Sequence, residues 1–269
     1  MTHLMADWDP ELYNRFRRYR AEPVNHILAR LSLSEDEEIA DLGCGSGENA
    51  LELARRTAHG HVRGIDGSPA MIDAARALLS RQSDDLRQRV SFELGDVAKF
   101  AAQREFTLIF SNALFHWIEN RRALFAACFT ALRPGGRIVV QMPSNESETG
   151  KAQLAALARE EPWASLLGGL NQAFADDPPE HYARMLAEIG YDAIDCYHHT
   201  FQHPMDRAAD VAEWYRATGL KPFLDRLPAD RHEAFLDEYR RRLERAYGTT
   251  GRIIFPFRRL FIWACRPRD

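Results

Sequence analysis

Lysine is nearly absent from this chain: the basic side chains are almost all arginine, with lysine only at Lys99, Lys151 and Lys221. Cysteine is sparse as well. Cys44, Cys128, Cys196 and Cys265 lie far apart, form no CxxC pair and sit in or beside apolar segments. That reads as buried free thiols and argues against a disulfide framework or a thiolate metal site; no metal is expected. No apolar run approaches the ~20 residues that span a bilayer. Met1 to Pro10 carries Asp7 and Asp9 without an apolar stretch, so neither a membrane segment nor a secretory leader is expected, and a cytoplasmic protein is the default. Charge of one sign is lacking too: 35 basic against 39 acidic residues give −4. A nucleic-acid binder concentrates basic charge to meet phosphates. Here the arginines crowd into Arg15, Arg17, Arg18 and Arg20 and again from Arg240 to Arg268, on either side of a mixed middle. A small anionic substrate fits this better, because arginine's planar fork pairs with carboxylates.

No internal repeat or low-complexity linker divides the 269 residues, of which 45% are hydrophobic, enough for one large core or a core with a second lobe. Residues 11–30 read as a helix interrupted near Pro23. Short apolar strands follow at Ile39 to Leu42, Val62 to Ile65, Val90 to Leu94, Phe106 to Phe110 (continuing to Asn112) and Arg137 to Met142. Helices are predicted between them at 48–57, from Ser68-Pro69 through Leu79, and at 121–132. Strands alternating with helices imply an α/β fold, a mostly parallel sheet whose strand C-ends share one edge. After Ser144 the rhythm changes to helices at 151–160, from Pro178-Pro179 to Ile189, at 208–217 and at 230–247. A strand at 191–201 falls among them, 163–175 is ambiguous, and a last strand at 260–265 is expected to return to the sheet edge.

Asp41-Leu42-Gly43-Cys44-Gly45-Ser46-Gly47-Glu48 follows a buried strand and opens a helix. Its glycines permit a tight turn and a close approach of backbone to a ligand; an ordinary glycine turn is the plain alternative. The sixth position of a dinucleotide fingerprint is Glu48 rather than glycine, and no Lys-Ser or Lys-Thr completes a P-loop. Asp41 would repel a phosphate chain but could hold an ammonium group. Asp66 ends the second strand about twenty residues on, where a carboxylate accepts ribose hydroxyls, or else caps the helix at Pro69. Asp96 ends the third strand, placed for an adenine amino group with Val97 offering backbone, or else is a turn aspartate. Three carboxylates at three consecutive strand ends, together with this loop, point to one nucleoside-bearing ligand without phosphates.

That set resembles the seven-stranded, class I S-adenosylmethionine-dependent methyltransferases, a Rossmann-like sheet, mostly parallel with an antiparallel edge strand and helical insertions. The resemblance implies S-adenosyl-L-methionine as cofactor, with Asp41, Gly43, Gly45 and Gly47 backing the methionine part, and Asp66 with Gly67 and Ser68 at the ribose. It also places Asp96, Val97 and Met71 around adenine, and Asn112 near the methionine or substrate. A more particular likeness, to the trans-aconitate 2-methyltransferases, runs along nearly the whole chain. It rests on Trp8-Asp9-Pro10-x-Leu12-Tyr13-x-x-Phe16 with Arg20 and Pro23; Asn112 with Trp117; Val140-Gln141-Met142-Pro143; Trp214-x-x-Ala217-Thr218-Gly219-Leu220; and Phe257-x-Arg259-Leu260-Phe261-Ile262. The implied reaction esterifies one carboxylate of a planar tricarboxylate, with Arg17, Arg20 and Arg259 as clamps and Tyr13, Trp117, Tyr182 and Trp214 shaping a lid. His116 would position substrate rather than take a proton. The implied organisation is one methyltransferase domain, monomeric by default. It has a helical cap over 1–30, a cofactor half over 31–143, lid segments over 144–190 and 204–250, and a terminal edge strand over 251–269. Another organic acid, or a hydroxyl acceptor with His116 as base, stays open, and the basic N-terminal segment does not fix which arginine points inward. An RNA- or protein-binding module would need a broad basic surface, and an NAD-dependent reductase would need the sixth-position glycine and a Tyr-x-x-x-Lys pair.

Overall fold

Short, largely apolar strands build the first part of the sheet, buried on both faces at its centre and on one face at the outer strand Val90–Leu94. β1 (Glu38–Leu42), β2 (His61–Asp66), β3 (Val90–Leu94), β4 (Phe106–Asn112) and β5 (Leu132–Pro143) pair in parallel, as strands covered by helices do. The computed structural model describes residues 16–170, 177–216 and 219–268. Ahead of the sheet lies α1 (Arg17–Arg30), which runs through Pro23 with that ring buried; the start expected at 11–15 falls outside the described residues. Between the strands lie α2 (Glu48–Arg55), α3 (Pro69–Leu79), α4 (Asp84–Arg89) and α5 (Arg121–Ala131). Ser68 caps α3, its hydroxyl accepting from the Met71 N–H at 3.4 Å, with Pro69 in the first turn. The short α4, capped by Ser83, carries too little apolar periodicity to be read from sequence.

Beyond β5 the chain forms α6 (Thr149–Ala158), α7 (Trp163–Leu167), α8 (Pro179–Ile189), β6 (Asp192–Met205), α9 (Ala209–Arg216), α10 (Lys221–Arg226), α11 (His232–Tyr247) and β7 (Ile253–Cys265). The seven strands take the order β3-β2-β1-β4-β5-β7-β6, with β7 antiparallel to both its neighbours. The terminal strand, expected at the sheet edge, therefore lies one place in from it, and β6 takes the rim. Burial explains the choice. Phe261 and Ile262 of β7 are fully buried and sit between two partners. β6 carries Gln202 and Pro204, which an outer strand with one unpaired side accommodates. Both strands also run further than their apolar runs suggest, pairing as far as Met205 with Ile253.

Three apolar clusters result. Two cover the faces of the sheet, one with α1, α2 and α3 and the other with α5 and α8. The third joins α6, α7, α9, α10 and α11 to Phe16 and to the outer ends of β6 and β7, including Phe255 and Phe257. This separates two segments that the chain order groups together. α6 belongs to the helical layer, whereas α8 packs on the sheet, where Tyr182 is 1% exposed and its ring lies edge-on to Phe125 at 6.3 Å. Tyr182, expected in a lid, is a core residue, because α8 turns its apolar face to the sheet. Tyr182→Ala is expected to lower stability by about 3–5 kcal/mol while leaving the KM for the acceptor unchanged. A thermal melt beside an activity assay checks both.

Candidate active site

The loop after β1 is held from two sides. The N–H groups of Gly43 and Cys44 donate to the Ile65 carbonyl at 2.8 and 3.1 Å. Asp66 then ties the loop to β2: one carboxylate oxygen accepts from the Gly45 N–H at 3.0 Å and the other from the Ser68 N–H at 2.9 Å. Gly47 has φ +87°, and a Cβ there would come within 2.6 Å of the Phe92 ring, so a larger residue would lift the start of α2 off the sheet. Gly45, at φ +53°, faces open space, the side on which a ligand can approach the backbone. Asp96 accepts from the Ala98 N–H at 3.0 Å and pairs with Lys99 at 3.4 Å, with buried Val97 beside it. Gly67 is exposed, and Met71 is half-buried in the first turn of α3.

Asp41 is different. Its side chain is fully buried, neither carboxylate oxygen has a hydrogen-bond partner, and burial followed by the charge of Asp66 pushes it up to about 8. Asn112 Oδ1 is likewise buried and unpartnered. Such groups cost about 1–3 kcal/mol each when left unsatisfied, and native structures seldom tolerate them without use. An amino-acid ammonium group supplies what Asp41 lacks. The residues thus fit the methionine end of an S-adenosylmethionine-type ligand, with Asp66 at the neighbouring strand end for ribose.

On the other side of the strand ends, cations gather around buried histidines. Arg20 of α1 donates to the Trp214 carbonyl at 3.1 Å, and its guanidinium lies 4.5 Å from the Trp214 ring centre. Arg259 of β7, 7% exposed, lies over Phe257 at 4.4 Å. His203 of β6, 1% exposed, stands among them, with its ring 5.3 Å from that of Trp214. Burial, then Arg259 and Arg20, push His203 down to about 4. His116, after β4, is pushed down to about 3 by burial and then by Arg259, Lys151 and Arg121. Both imidazoles are therefore neutral at pH 7 while the guanidiniums beside them are charged. Trp117, the next residue, is 38% exposed with its ring 4.9 Å from that of His116.

Of the residues singled out from sequence, Arg20, Arg259, His116, Trp117 and Trp214 come together here. Arg17 does not: it is exposed on α1, because α1 turns Val24, Ile27 and Leu28 to the sheet and Arg20 to Trp214. Tyr13, and Ala217-Thr218 of the motif at Trp214, lie outside the described residues. Lys151, His203 and Gln141 carry no site role in the sequence, where Gln141 stands only within the run Val140-Gln141-Met142-Pro143. Lys151 is 7% exposed, pairs with Glu146 at 3.3 Å and lines a cavity of about 330 Å³ with Leu154 and Phe223. Its signal was its rarity among so many arginines. Gln141 had a signal too, as a polar residue inside an apolar strand.

A seven-stranded sheet of this order carries the glycine loop and its carboxylates at one edge, and residues 39–136 match the family described as a methyltransferase domain. The YcgJ protein of Bacillus subtilis superposes with a TM-score of 0.62 at 13% identity, over 92% of this chain and 99% of that one, which speaks for the fold. Relatives are far nearer. Trans-aconitate 2-methyltransferase of Variovorax paradoxus (strain S110) is 39% identical over 97% of this chain and 98% of its own. The enzyme of that name from Methylobacterium radiotolerans is 37% identical over the same shares. The chain belongs to the trans-aconitate 2-methyltransferase family, and its cofactor is S-adenosyl-L-methionine. Among the described residues no helix is long and apolar enough to cross a membrane.

Proposed function

We propose that this enzyme methylates one carboxylate of trans-aconitate, giving the monomethyl ester and S-adenosylhomocysteine, without a general base. The observation that carries the reading is the cluster of Arg20, Arg259 and Lys151 around two neutral, buried histidines. Lys151 is matched by Glu146, so the two guanidiniums are the groups suited to an anionic planar acceptor. Arg20 and Arg259 hold two carboxylates, each charge-assisted contact contributing about 1.5–3 kcal/mol, and the third carboxylate is left facing the donor. Bound S-adenosylmethionine supplies a methyl group on a cationic sulfur. The protein's part is alignment and exclusion of water, with α1, α6 and α9 as the cover. A carboxylate is already ionised and needs no base. A histidine held near 3 has little affinity for a hydroxyl proton, which weighs against a hydroxyl acceptor using His116. Arg20 and Arg259, being fixed by Trp214 and Phe257, favour the planar trans isomer over bent ones.

The test is product analysis. Incubation with S-adenosylmethionine and trans-aconitate is expected to give one product, heavier by a single methyl and returned to the acid by mild base. The maximal rate at saturating donor and acceptor is expected to be level from pH 6.5 to 9. A base-stable product, or a rate that climbs through that range, would overturn the reading.

A further inference from the structure

Gln141 stands near the C-terminal end of β5 in the run Ile138-Val139-Val140-Gln141-Met142. Its side chain is fully buried, and neither Oε1 nor Nε2 has a hydrogen-bond partner. Buried amides in native proteins are nearly always bonded, and an apolar side chain of the same shape would pack without that penalty. The amide therefore awaits a partner from outside the chain.

Sheet register says where that partner lies. Gln141 pairs with Asn112 of β4 on one side and with Phe261 of β7 on the other. Asp41 pairs with Phe110, two residues before Asn112, and Arg259 is two residues before Phe261. Side chains alternate along a strand, so Asp41, Asn112, Gln141 and Arg259 project from one face of four successive strands. Phe110, Val139 and Phe261 share a single apolar cluster on that face. Strands lie about 4.8 Å apart, so roughly 14 Å separates the Asp41 strand from the Arg259 strand. Asn112 and Gln141 fill the interval. Asp41 marks the donor's ammonium end and Arg259 the acceptor's carboxylates, which puts Gln141 where donor and acceptor meet.

We propose that Gln141 orients the reacting carboxylate of the acceptor, an assignment that rests on the carboxylate reading above. The Nε2–H donates to the oxygen that does not attack and fixes the carboxylate plane, so that a lone pair of the other oxygen faces the methyl carbon. A neutral donor suits this place. A guanidinium on the reacting carboxylate would draw off the charge that makes it a nucleophile, whereas an amide aligns it and leaves most of that charge in place. The attacking oxygen gains the methyl carbon, the electron pair of the broken carbon–sulfur bond stays on sulfur, and no proton moves. The amide thus keeps one protonation state throughout. Cations hold the two spectator carboxylates, and a neutral group turns the third.

Gln141→Met keeps the length of the side chain and removes both polar ends. With the full-length protein, kcat for trans-aconitate is expected to fall about 30-fold. The dissociation constant of S-adenosylhomocysteine should stay within twofold, and Tm should be unchanged or higher, because two unsatisfied atoms are gone. A fall in kcat of less than tenfold overturns the assignment. So does a larger fall that comes with a lower Tm and weaker S-adenosylhomocysteine binding, which would mark a structural residue. If Gln141→Met does not fold, Gln141→Glu carries the test: its anion opposes the acceptor. The KM for trans-aconitate should rise at least tenfold at constant S-adenosylhomocysteine affinity, and an unchanged KM overturns the assignment. Failure of the wild-type protein to methylate trans-aconitate overturns the acceptor reading and this assignment together. Transfer by the wild type that Gln141→Met leaves intact overturns this assignment alone.

Discussion

Asp41→Asn is expected to yield a protein that is more stable at pH 7 and scarcely binds its methyl donor. Asp41 is held near 8 in the folded chain by burial and then by Asp66, against about 3.9 when unfolded. Between those values the unfolded state holds fewer protons than the folded one. The contribution of Asp41 to stability is therefore complete below about pH 4 and is lost progressively as pH rises through 8. Asparagine does not titrate. At pH 7 the variant should gain on the order of 4 kcal/mol over the wild type, and the difference should close as pH falls to about 4. Binding runs the other way. An ammonium group beside the carboxylate favours its charged form, so wild-type affinity for S-adenosylhomocysteine should rise from pH 6 to 8, by up to about tenfold per unit, and then level. In Asp41→Asn that slope should vanish and affinity should fall by about 100-fold or more, as expected when one partner of a buried charge pair is removed. Denaturation and calorimetry across pH 4 to 8 check both. Wild-type affinity retained in the variant would remove Asp41 from the donor site.

Arg259→Gln should have the opposite selectivity. Affinity for trans-aconitate, measured with S-adenosylhomocysteine bound, should weaken by about 100-fold, while S-adenosylhomocysteine binding itself stays within twofold. Arg259→Lys should recover only part of the loss, since an ammonium offers no planar fork. A second signature is independent of substrate. After burial, Arg259 is the largest influence lowering both His116 and His203, so both imidazoles should titrate at higher pH in the variant, which proton NMR would show. Equal losses of donor and acceptor binding would mean that Arg259 shapes the whole cleft rather than holding the acceptor.

What could be read from the sequence, and what could not, follows from how each signal arises. β4 and β5 are covered on both sides, so they appear as apolar runs such as Leu108-Ile109-Phe110 and Ile138-Val139-Val140, and β1 and β2 as shorter ones broken by Asp41 and Arg63. The loop from Gly43 to Gly47 is legible because all three glycines take positive φ, and at Gly43 and Gly47 a Cβ would also meet Leu114 and Phe92. Strand order is not written in any local pattern, which is why β7 was expected at the rim. β6 was cut short at Phe201 because Gln202, His203 and Pro204 look like a turn, yet they continue pairing with β7. On the site, spacing alone did not separate Arg17 from Arg20, three residues apart on one helix. The ring of Trp214, nearly two hundred residues later in the chain, makes the difference. The resemblance implies a lid role for Tyr182, whereas α8 packs on the sheet. His203 becomes visible only when burial is known, and burial gives the weaker sequence signals of Lys151 and Gln141 their meaning, because these groups are polar where water does not reach.

If cations hold a planar tricarboxylate in front of the donor, the shape of the acceptor sets the rate. The most direct measurement compares kcat/KM for labelled methyl transfer to trans-aconitate, cis-aconitate, citrate, isocitrate and a phenolic hydroxyl acceptor at one saturating donor concentration. Trans-aconitate is expected to lead by about tenfold or more, with a base-labile product from each acid that reacts and no transfer to the hydroxyl. Preference for the hydroxyl acceptor, or equal rates for planar and bent acids, would contradict that arrangement.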